Sequence, residues 1–423
     1  MTREHPAVAA VLLFFLLVQS NLFGPSPHPD VLEDLFAAYY ACRRNKRNTV
    51  NALAFEQHFE ANLFRLHEEL IQGSYRPGRS LAFIIRRPVQ REVFAADFCD
   101  RVVHHFLIGR LNPLFEQHFI EDSYACREGK GTHYGIRRLD EAIRDVSRNH
   151  TRAAHVLQLD IRGFFMAIHR STLRRSLHTF VKEHYDGRDR LLVHELIDTL
   201  LMADPTRHCR IKGKASDWEG LPADKSLFGA APGCGLPIGN LTSQIFANFY
   251  LHPFDRMMED LLPGARYGRY VDDFWLVHQN RDLLRSTVSL IRKCLQDELR
   301  LTLHPRKIRL QEARKGVAFL GAFLKPGRVL PGRRVVGNFK AALWRLNRRL
   351  AAEGPHADLL ADFRAIVNSY LGHLGQTASY HLRKRLLFRH ADPLWWGGFL
   401  LDDGARRLLP KRHSIGKEDI AHK

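Results

Sequence analysis

The chain has 423 residues, of which 45% are hydrophobic and 26% charged, ordinary values for a folded protein that exclude a mainly disordered, collagen-like or disulfide-scaffold chain. Its length corresponds to about three structural units of typical size. Lys and Arg number 64 against 45 Asp and Glu, a net charge of +19, which favours a polyanionic partner such as nucleic acid over small acidic metabolites.

Residues 7–18 form an uninterrupted apolar run, preceded by Arg3 and followed by Gln19, Ser20 and Asn21. The run is patterned like the h-region of a signal peptide but is too short to span a bilayer comfortably. A buried or mobile N-terminal helix, a misplaced start codon, export, and membrane contact through residues 7–18 all remain open for residues 1–30. The cysteines (Cys42, Cys99, Cys126, Cys209, Cys234, Cys294) contain no C-x-x-C pair, so they suggest neither a zinc knuckle nor a disulfide framework and fit a reducing, cytoplasmic compartment.

Leu32, Leu35, Phe36 and Tyr39 recur at helical spacing and lead into the basic run Arg43, Arg44, Lys46, Arg47, either a phosphate contact or a solvated face. The spacing of Phe59, Leu63, Leu66 and Leu70 predicts a helix over 55–70, stopped by Gly73 and the turn Tyr75-Arg76-Pro77-Gly78. A short strand is predicted over 81–85, ended by Arg86-Arg87-Pro88. Residues 156–159 read as a strand running straight into Asp160, and 192–201 as a helix. Residues 203–234, rich in Gly, Pro and charge, read as an extended connection lying over a surface.

A buried helix is predicted over 242–254, with Phe246, Ala247, Tyr250 and Phe254 on one face and Ser243 on the same side. Strands over 266–270 and 274–278 flank Val271-Asp272-Asp273, so two adjacent carboxylates sit at a tight turn. Such carboxylates repel each other, and a bound cation relieves them. His304-Pro305-Arg306-Lys307 leads into a strand over 308–310, and 317–324 is a hairpin ending at Pro326-Gly327. The remainder is helical and basic. Residues 331–350 carry Arg333, Arg334, Lys340, Arg345, Arg348 and Arg349 with no acidic residue, interleaved with Phe339 and Trp344, a mixture suited to a groove holding a duplex.

Two-metal phosphoryl transfer needs carboxylates converging from different strands. Asp160 and the Asp272-Asp273 pair supply that pattern, although an Asp-Asp pair by itself is more often a solvated turn. His104-His105 reads as helix packing rather than a zinc site. Gly129-Lys130-Gly131-Thr132 lacks the upstream glycine and strand of a P-loop.

Tyr270-Val271-Asp272-Asp273 resembles the Y-x-D-D signature of reverse transcriptases, and Leu159-Asp160-Ile161-Arg162-Gly163-Phe164-Phe165 resembles their first aspartate motif. Gly235-Leu236-Pro237-Ile238-Gly239-Asn240-Leu241-Thr242-Ser243-Gln244 resembles the diversity-generating retroelement enzymes, because retroviral, retron and group II intron enzymes usually carry Gln before that glycine and Pro after that serine. Supporting stretches are Ala95-Ala96-Asp97-Phe98, Asp100-Arg101-Val102-Val103-His104-His105, Asp122-Ser123-Tyr124-Ala125-Cys126-Arg127 with Gly129-Lys130-Gly131-Thr132-His133, and Asn368-Ser369-Tyr370-Leu371-Gly372-His373. Met166-Ala167 departs from the commoner Pro-Ser.

The resemblance implies an α+β right-hand polymerase with fingers over 31–150, palm over 151–326, helical thumb over 327–390 and a basic tail over 391–423. It implies that Asp160 and Asp272 hold two Mg²⁺ ions, with Asp273 supporting and the Ile161 carbonyl completing one shell. Phe165, five residues after Asp160, resembles the steric gate against a 2′-hydroxyl. Arg91, with Arg86 or Arg87, would reach the triphosphate. Ile238, Gly239, Ser243 and Gln244 would line the nucleotide pocket, Lys307 would protonate the leaving pyrophosphate, and Phe319-Leu320-Gly321 resembles a primer grip.

The implied partners are an RNA template, a DNA or RNA primer, deoxynucleoside triphosphates and an accessory variability protein. The implied outcome is error-prone cDNA from a template repeat, replacing a variable repeat in a target gene. A group II intron, retron or phage-defence reverse transcriptase, and a non-catalytic RNA-binding descendant, are the alternatives.

Overall fold

A computed structural model describes residues 29–44, 49–86 and 89–411. The apolar run 7–18, Lys46, Arg47, Arg87 and residues 412–423 lie outside the described residues. Three helices open the fold, α1 (Pro29–Arg43), α2 (Val50–Glu56) and α3 (Phe59–Ile71). The helix expected over 55–70 is therefore broken at His58, whose backbone (φ −137°, ψ 41°) leaves the helical region, and Phe55 and Phe59 both pack on Tyr39. Arg43 at the end of α1 pairs with Glu56 of α2 at 2.6 Å.

Strands β1 (Leu81–Ile85) and β2 (Arg91–Ala95) form an antiparallel hairpin. Helix α4 (Phe98–His118) follows, capped by the Asp97 side chain on the Cys99 N–H, and α5 (Thr132–Val146) comes next. The central sheet contains β3 (His155–Asp160), β5 (Arg266–Tyr270), β6 (Asp273–His278) and β7 (Arg309–Glu312) in the order β5-β6-β3-β7, with every pairing antiparallel. Both faces of this sheet are covered, which explains why its two central strands, β3 and β6, read as nearly continuous apolar runs.

Side-chain alternation assigns the two faces. Leu157, Leu159, Phe274 and Leu276 enter the main core. Val156, Trp275 and Val277 point the other way, against Ile136 and Leu139 of α5. Helices α6 (Phe164–Ala167), α7 (Arg170–His184), α8 (Arg190–Met202), α9 (Leu241–Asp260) and α10 (Arg281–Leu299) contribute to the main core. In α9 the buried residues include Ser243, Phe246, Ala247, Tyr250 and Phe254. The 203–234 connection contributes the two-residue strand β4 (Arg210–Ile211), which extends the β1–β2 hairpin to the order β2-β1-β4.

Two C-terminal expectations need correction. Pro326-Gly327 is a turn rather than an end: β8 (Val317–Phe319) and β9 (Ala322–Lys325) are joined by β10 (Arg328–Pro331), paired Arg328 to Lys325. With Gly327 at φ 72° the chain reverses and stays in the sheet, so the helical part begins at α11 (Arg333–Glu353), followed by α12 (Ala357–Leu374) and α13 (Tyr380–His390). Residues 391–411, expected as tail, form α14 (Trp395–Gly398), β11 (Phe399–Leu401) and β12 (Leu408–Pro410). Trp395 lies flat on Phe363 at 4.0 Å, and Phe399 and Leu408 complete the core between these helices.

Candidate active site

Strand register brings the aspartates together. Asp160 ends β3 directly opposite Asp273, the first residue of β6, and Tyr270 pairs with Asp273, leaving only Val271 and Asp272 in the β5–β6 loop. Val271 has φ 57°, a left-handed conformation that is strained for a β-branched side chain. Its carbonyl accepts a hydrogen bond from Arg269 Nη1 at 2.9 Å, and the Asp272 carbonyl accepts from the Ile161 N–H at 3.2 Å.

The strand past Asp160 is held by Arg162 N–H donating to the Thr302 carbonyl (2.9 Å) and His304 N–H donating to the Asp160 carbonyl (2.8 Å). These bonds leave the Ile161 carbonyl outside the ladder. Arg269 was not visible as a functional residue in the sequence. The available signal was a cation in the interior of a strand, next to Gly268 and Tyr270, where a buried charge demands a partner.

Asp160 is only 4% exposed, and Lys307 Nζ donates to its Oδ2 at 2.6 Å. Burial works against the Lys307 charge, but the hydrogen bond and charge of Asp160, helped by Asp273 and Asp272, hold its proton more firmly than usual. Asp272 is pushed up to about 6 by burial and then by the charge of Asp160, with Lys307 and Arg91 opposing. Asp273 is raised by burial, by Asp272 and by its hydrogen bond with Asp160.

Carboxylates that raise one another in this way are short of positive charge, and an all-oxygen donor set suits a hard cation such as Mg²⁺. Among the described residues no three acidic, imidazole or thiol side chains are already gathered as a metal cage. A cation entering here competes with Lys307 for Asp160.

The expected nucleotide-side residues converge from three segments. Phe165 in α6 is half-buried, and its carbonyl accepts from the Leu236 N–H at 2.9 Å. Phe165 and Ile238 pack on one small apolar cluster of Ala82, Phe94, Met166 and Leu227. The Ile238 carbonyl accepts from the Phe94 N–H at 2.8 Å, and Asn240 Oδ1 accepts from the Ala96 N–H at 3.2 Å, so strand β2 is stitched to the Gly-Asn turn.

Gly239 has φ 125°, and a Cβ there would stand 2.8 Å from Val93 Cγ1 and 3.0 Å from the Phe94 carbonyl oxygen. Only glycine permits this approach. Ser243 is buried, whereas Gln244 is exposed and accepts from Cys126 Sγ at 3.5 Å. Arg91, exposed at the start of β2, lies close enough to lower the Asp272 constant. Arg86 instead pairs with Asp217 at 2.6 Å.

The Phe319-Leu320-Gly321 stretch forms the β8–β9 turn, with Leu320 (φ 46°) and Gly321 (φ 83°) both left-handed. Gln158 Nε2 of β3 donates to the Ala318 carbonyl at 2.8 Å, tying this hairpin to the aspartate-bearing sheet. His104 is buried, shares a 2.8 Å hydrogen bond with Thr242 Oγ1, and is pushed down to about 3 by burial, which fits helix packing.

Comparison with known proteins places this geometry. The family described as reverse transcriptase (RNA-dependent DNA polymerase) matches residues 91–324, more than half of the 423-residue chain. Protein YkfC of Escherichia coli (strain K12) is 23% identical over 312 residues, which are 64% of this chain and 73% of that protein. A structure of apo telomerase from Candida tropicalis, truncated from its C-terminal domain, aligns with a TM-score of 0.43 and 12% identity. That alignment covers 65% of this chain and 60% of the telomerase chain, under two thirds of its length. The family match spans Asp160, Asp272, Asp273, Lys307 and the Gly-Asn turn, and the chain belongs to the reverse transcriptase family of RNA-dependent DNA polymerases.

Proposed function

We propose that the chain extends a DNA or RNA primer on an RNA template by attack of the primer 3′-hydroxyl on the α-phosphorus of a deoxynucleoside triphosphate. The observation that carries this reading is the register of Asp160 opposite Asp273, with Asp272 in the two-residue turn beside them. Asp160 and Asp272 would hold two Mg²⁺ ions, Asp273 would support them and the Ile161 carbonyl would complete one shell. Bound there, the ions would supply Lewis-acid activation of the hydroxyl and stabilise charge on the phosphates.

The chain's own groups do the rest. Arg91 meets the triphosphate, as its position near Asp272 allows. Lys307 carries a firmly held proton beside Asp160, where it can be given to a leaving pyrophosphate. Phe165 lies under the sugar and excludes a 2′-hydroxyl, and Gly239 and Ser243 line the pocket against the incoming nucleotide and template. Phe319, Leu320 and Gly321 hold the primer end.

Within the family, Ile238 and Gln244 support a diversity-generating retroelement enzyme that makes error-prone cDNA from a template repeat. An accessory variability protein and the template RNA would be its partners. The Ile238 side chain packs with apolar neighbours, so it senses the nascent pair by shape alone. Primer extension on an RNA template with Mg²⁺, followed by sequencing of the cDNA, tests the reading. Magnesium-dependent cDNA with errors concentrated at template adenines is expected. Faithful cDNA would leave the polymerase and remove the retroelement assignment, and absence of synthesis would remove both.

A further inference from the structure

We infer that Glu92 clamps the 203–234 connection against the nucleotide pocket and is thereby a positioning residue for nucleotide selection. The inference rests on the reading of Phe165 and Ile238 as pocket residues. Glu92 lies in β2, only 1% exposed. Its carboxylate accepts hydrogen bonds from Trp218 Nε1 at 2.6 Å, Ser226 Oγ at 2.7 Å and the Leu227 N–H. These partners are neutral. A buried carboxylate without a cation is costly unless donors surround it, and all three donors come from the one connection.

That connection reaches the pocket directly. Leu227 enters the cluster on which Phe165 and Ile238 pack, and Phe228 lies 5.3 Å from the Phe94 ring. Gly235, at φ +91°, is approached so closely that a Cβ would meet Leu227 Cδ1 at 2.6 Å. On the aspartate side, Arg162 pairs with Asp224 at 3.0 Å, and a Cβ on Gly163 would stand 2.7 Å from the Asp224 carbonyl oxygen. The connection therefore backs both selecting side chains while anchored on the finger strand that carries Arg91.

The aspartates are held by other means, through the β3–β6 register and Arg269. Loosening the clamp should then alter discrimination, which depends on shape at sub-ångström scale, more than the chemical step. Glu92→Gln keeps the volume but puts an NH₂ group against N–H or O–H donors. Trp218→Phe and Ser226→Ala each delete one donor and preserve most of the packing.

The test is single-nucleotide insertion on an RNA template with matched ribo- and deoxynucleotides, measuring kcat and KM separately, with thermal melting as a folding control. In Glu92→Gln the ratio of ribo- to deoxynucleotide kcat/KM should rise about tenfold, and in Trp218→Phe a few-fold, while kcat for the correct deoxynucleotide stays within about threefold. A folded variant set with unchanged ratios, or with kcat lost at constant ratio, overturns the clamp. Should Glu92→Gln fail to fold, the two single-donor variants decide alone.

Phe165→Ala, run in parallel, separates the two readings. If it relaxes sugar choice and the clamp variants do not, the clamp falls and the gate stands. If the clamp variants relax it and Phe165→Ala does not, the gate falls and the clamp acts through Ile238. No change in either removes both. The double variant Glu92→Gln/Phe165→Ala should be less than additive if Glu92 acts through the gate.

Discussion

Arg269 and Asp255 form a fully buried ion pair, at 2.7 Å from Arg269 Nε to Asp255 Oδ1, directly behind the turn that carries Asp272. The same guanidinium donates to the Val271 carbonyl at 2.9 Å and to Ser123 Oγ at 3.2 Å, while Tyr267 Oη donates to Asp255 at 2.7 Å. One cation thus satisfies a buried carboxylate and props the strained residue of the turn. Removing one partner of such a pair strands the other charge, at a cost of about 3–5 kcal/mol. Arg269→Met should therefore lower unfolding stability by that order in denaturant titrations. Arg269→Lys keeps the charge but loses the fork, so it should cost less stability and still depress kcat. A fully stable Arg269→Met with wild-type turnover would show that the turn stands without this support.

The aspartate cluster makes a prediction about pH. Asp272 holds its proton up to about 6 because of burial and the Asp160 charge, whereas an unfolded aspartate releases it near ~3.9. Between those values the folded chain binds more protons than the unfolded one. The contribution of this group to stability is present below the unfolded value and is lost as pH rises through the folded value. Metal-free Asp272→Asn should thus gain in melting temperature relative to wild type as pH goes from 4 to 7.5. Added Mg²⁺ should stabilise wild type more at pH 7.5 than at pH 5, since at pH 5 it competes with protons, and stabilise the variant less at both. DNA synthesis should vanish in Asp272→Asn while RNA binding persists, and primer extension at the wild-type rate would remove Asp272 from the catalytic set.

Phe165 supplies a test of sugar selection. Its ring is half-buried against Phe164 at 5.7 Å and the apolar cluster beneath, so truncation opens space at the pocket without emptying the main core. Phe165→Ala should admit ribonucleotides, with a stability loss at or below the ~3 kcal/mol end of aromatic truncations. Incorporation ratios measured on a folded variant would identify another gate if they stay at the wild-type value.

The strands carrying Asp160 and Asp272-Asp273 were legible because their information is local: apolar runs on both sides of a carboxylate, and a turn too short to be anything but a hairpin. The break at His58 was not, since the apolar spacing from Phe55 to Phe59 reads the same in one helix or two. The basic count beyond residue 391 concealed the anchors Trp395 and Phe399, which pack on Phe363. Glu92 gave no signal at all, because Trp218, 126 positions away, is made its partner only by the fold. Arg86 looked free for phosphate until the connection brought Asp217 to it.

Ile238 supplies a test of fidelity. Its backbone carbonyl is engaged by the Phe94 N–H at 2.8 Å and its partly buried side chain packs against the cluster of Ala82, Phe94, Met166 and Leu227, so a substitution can change the side chain while β2 keeps the main chain in place. In the proposed pocket an aliphatic group at this position would exclude water but offer no hydrogen bond to the pair, and mispairs that fit sterically should be penalised less, by on the order of 1 kcal/mol or a few-fold in rate. Ile238→Gln restores an amide at the edge of the cluster, where it can reach the pocket without being wholly buried. Error frequency should fall a few-fold, most of all at template adenines, when cDNA from the two enzymes on one RNA is sequenced. The cost in stability should be small, because the position is not sealed from solvent. Equal, low error frequencies at all four template bases in both enzymes would show that Ile238 is not a fidelity determinant, and a drop confined to overall rate would show that the amide disturbs packing instead.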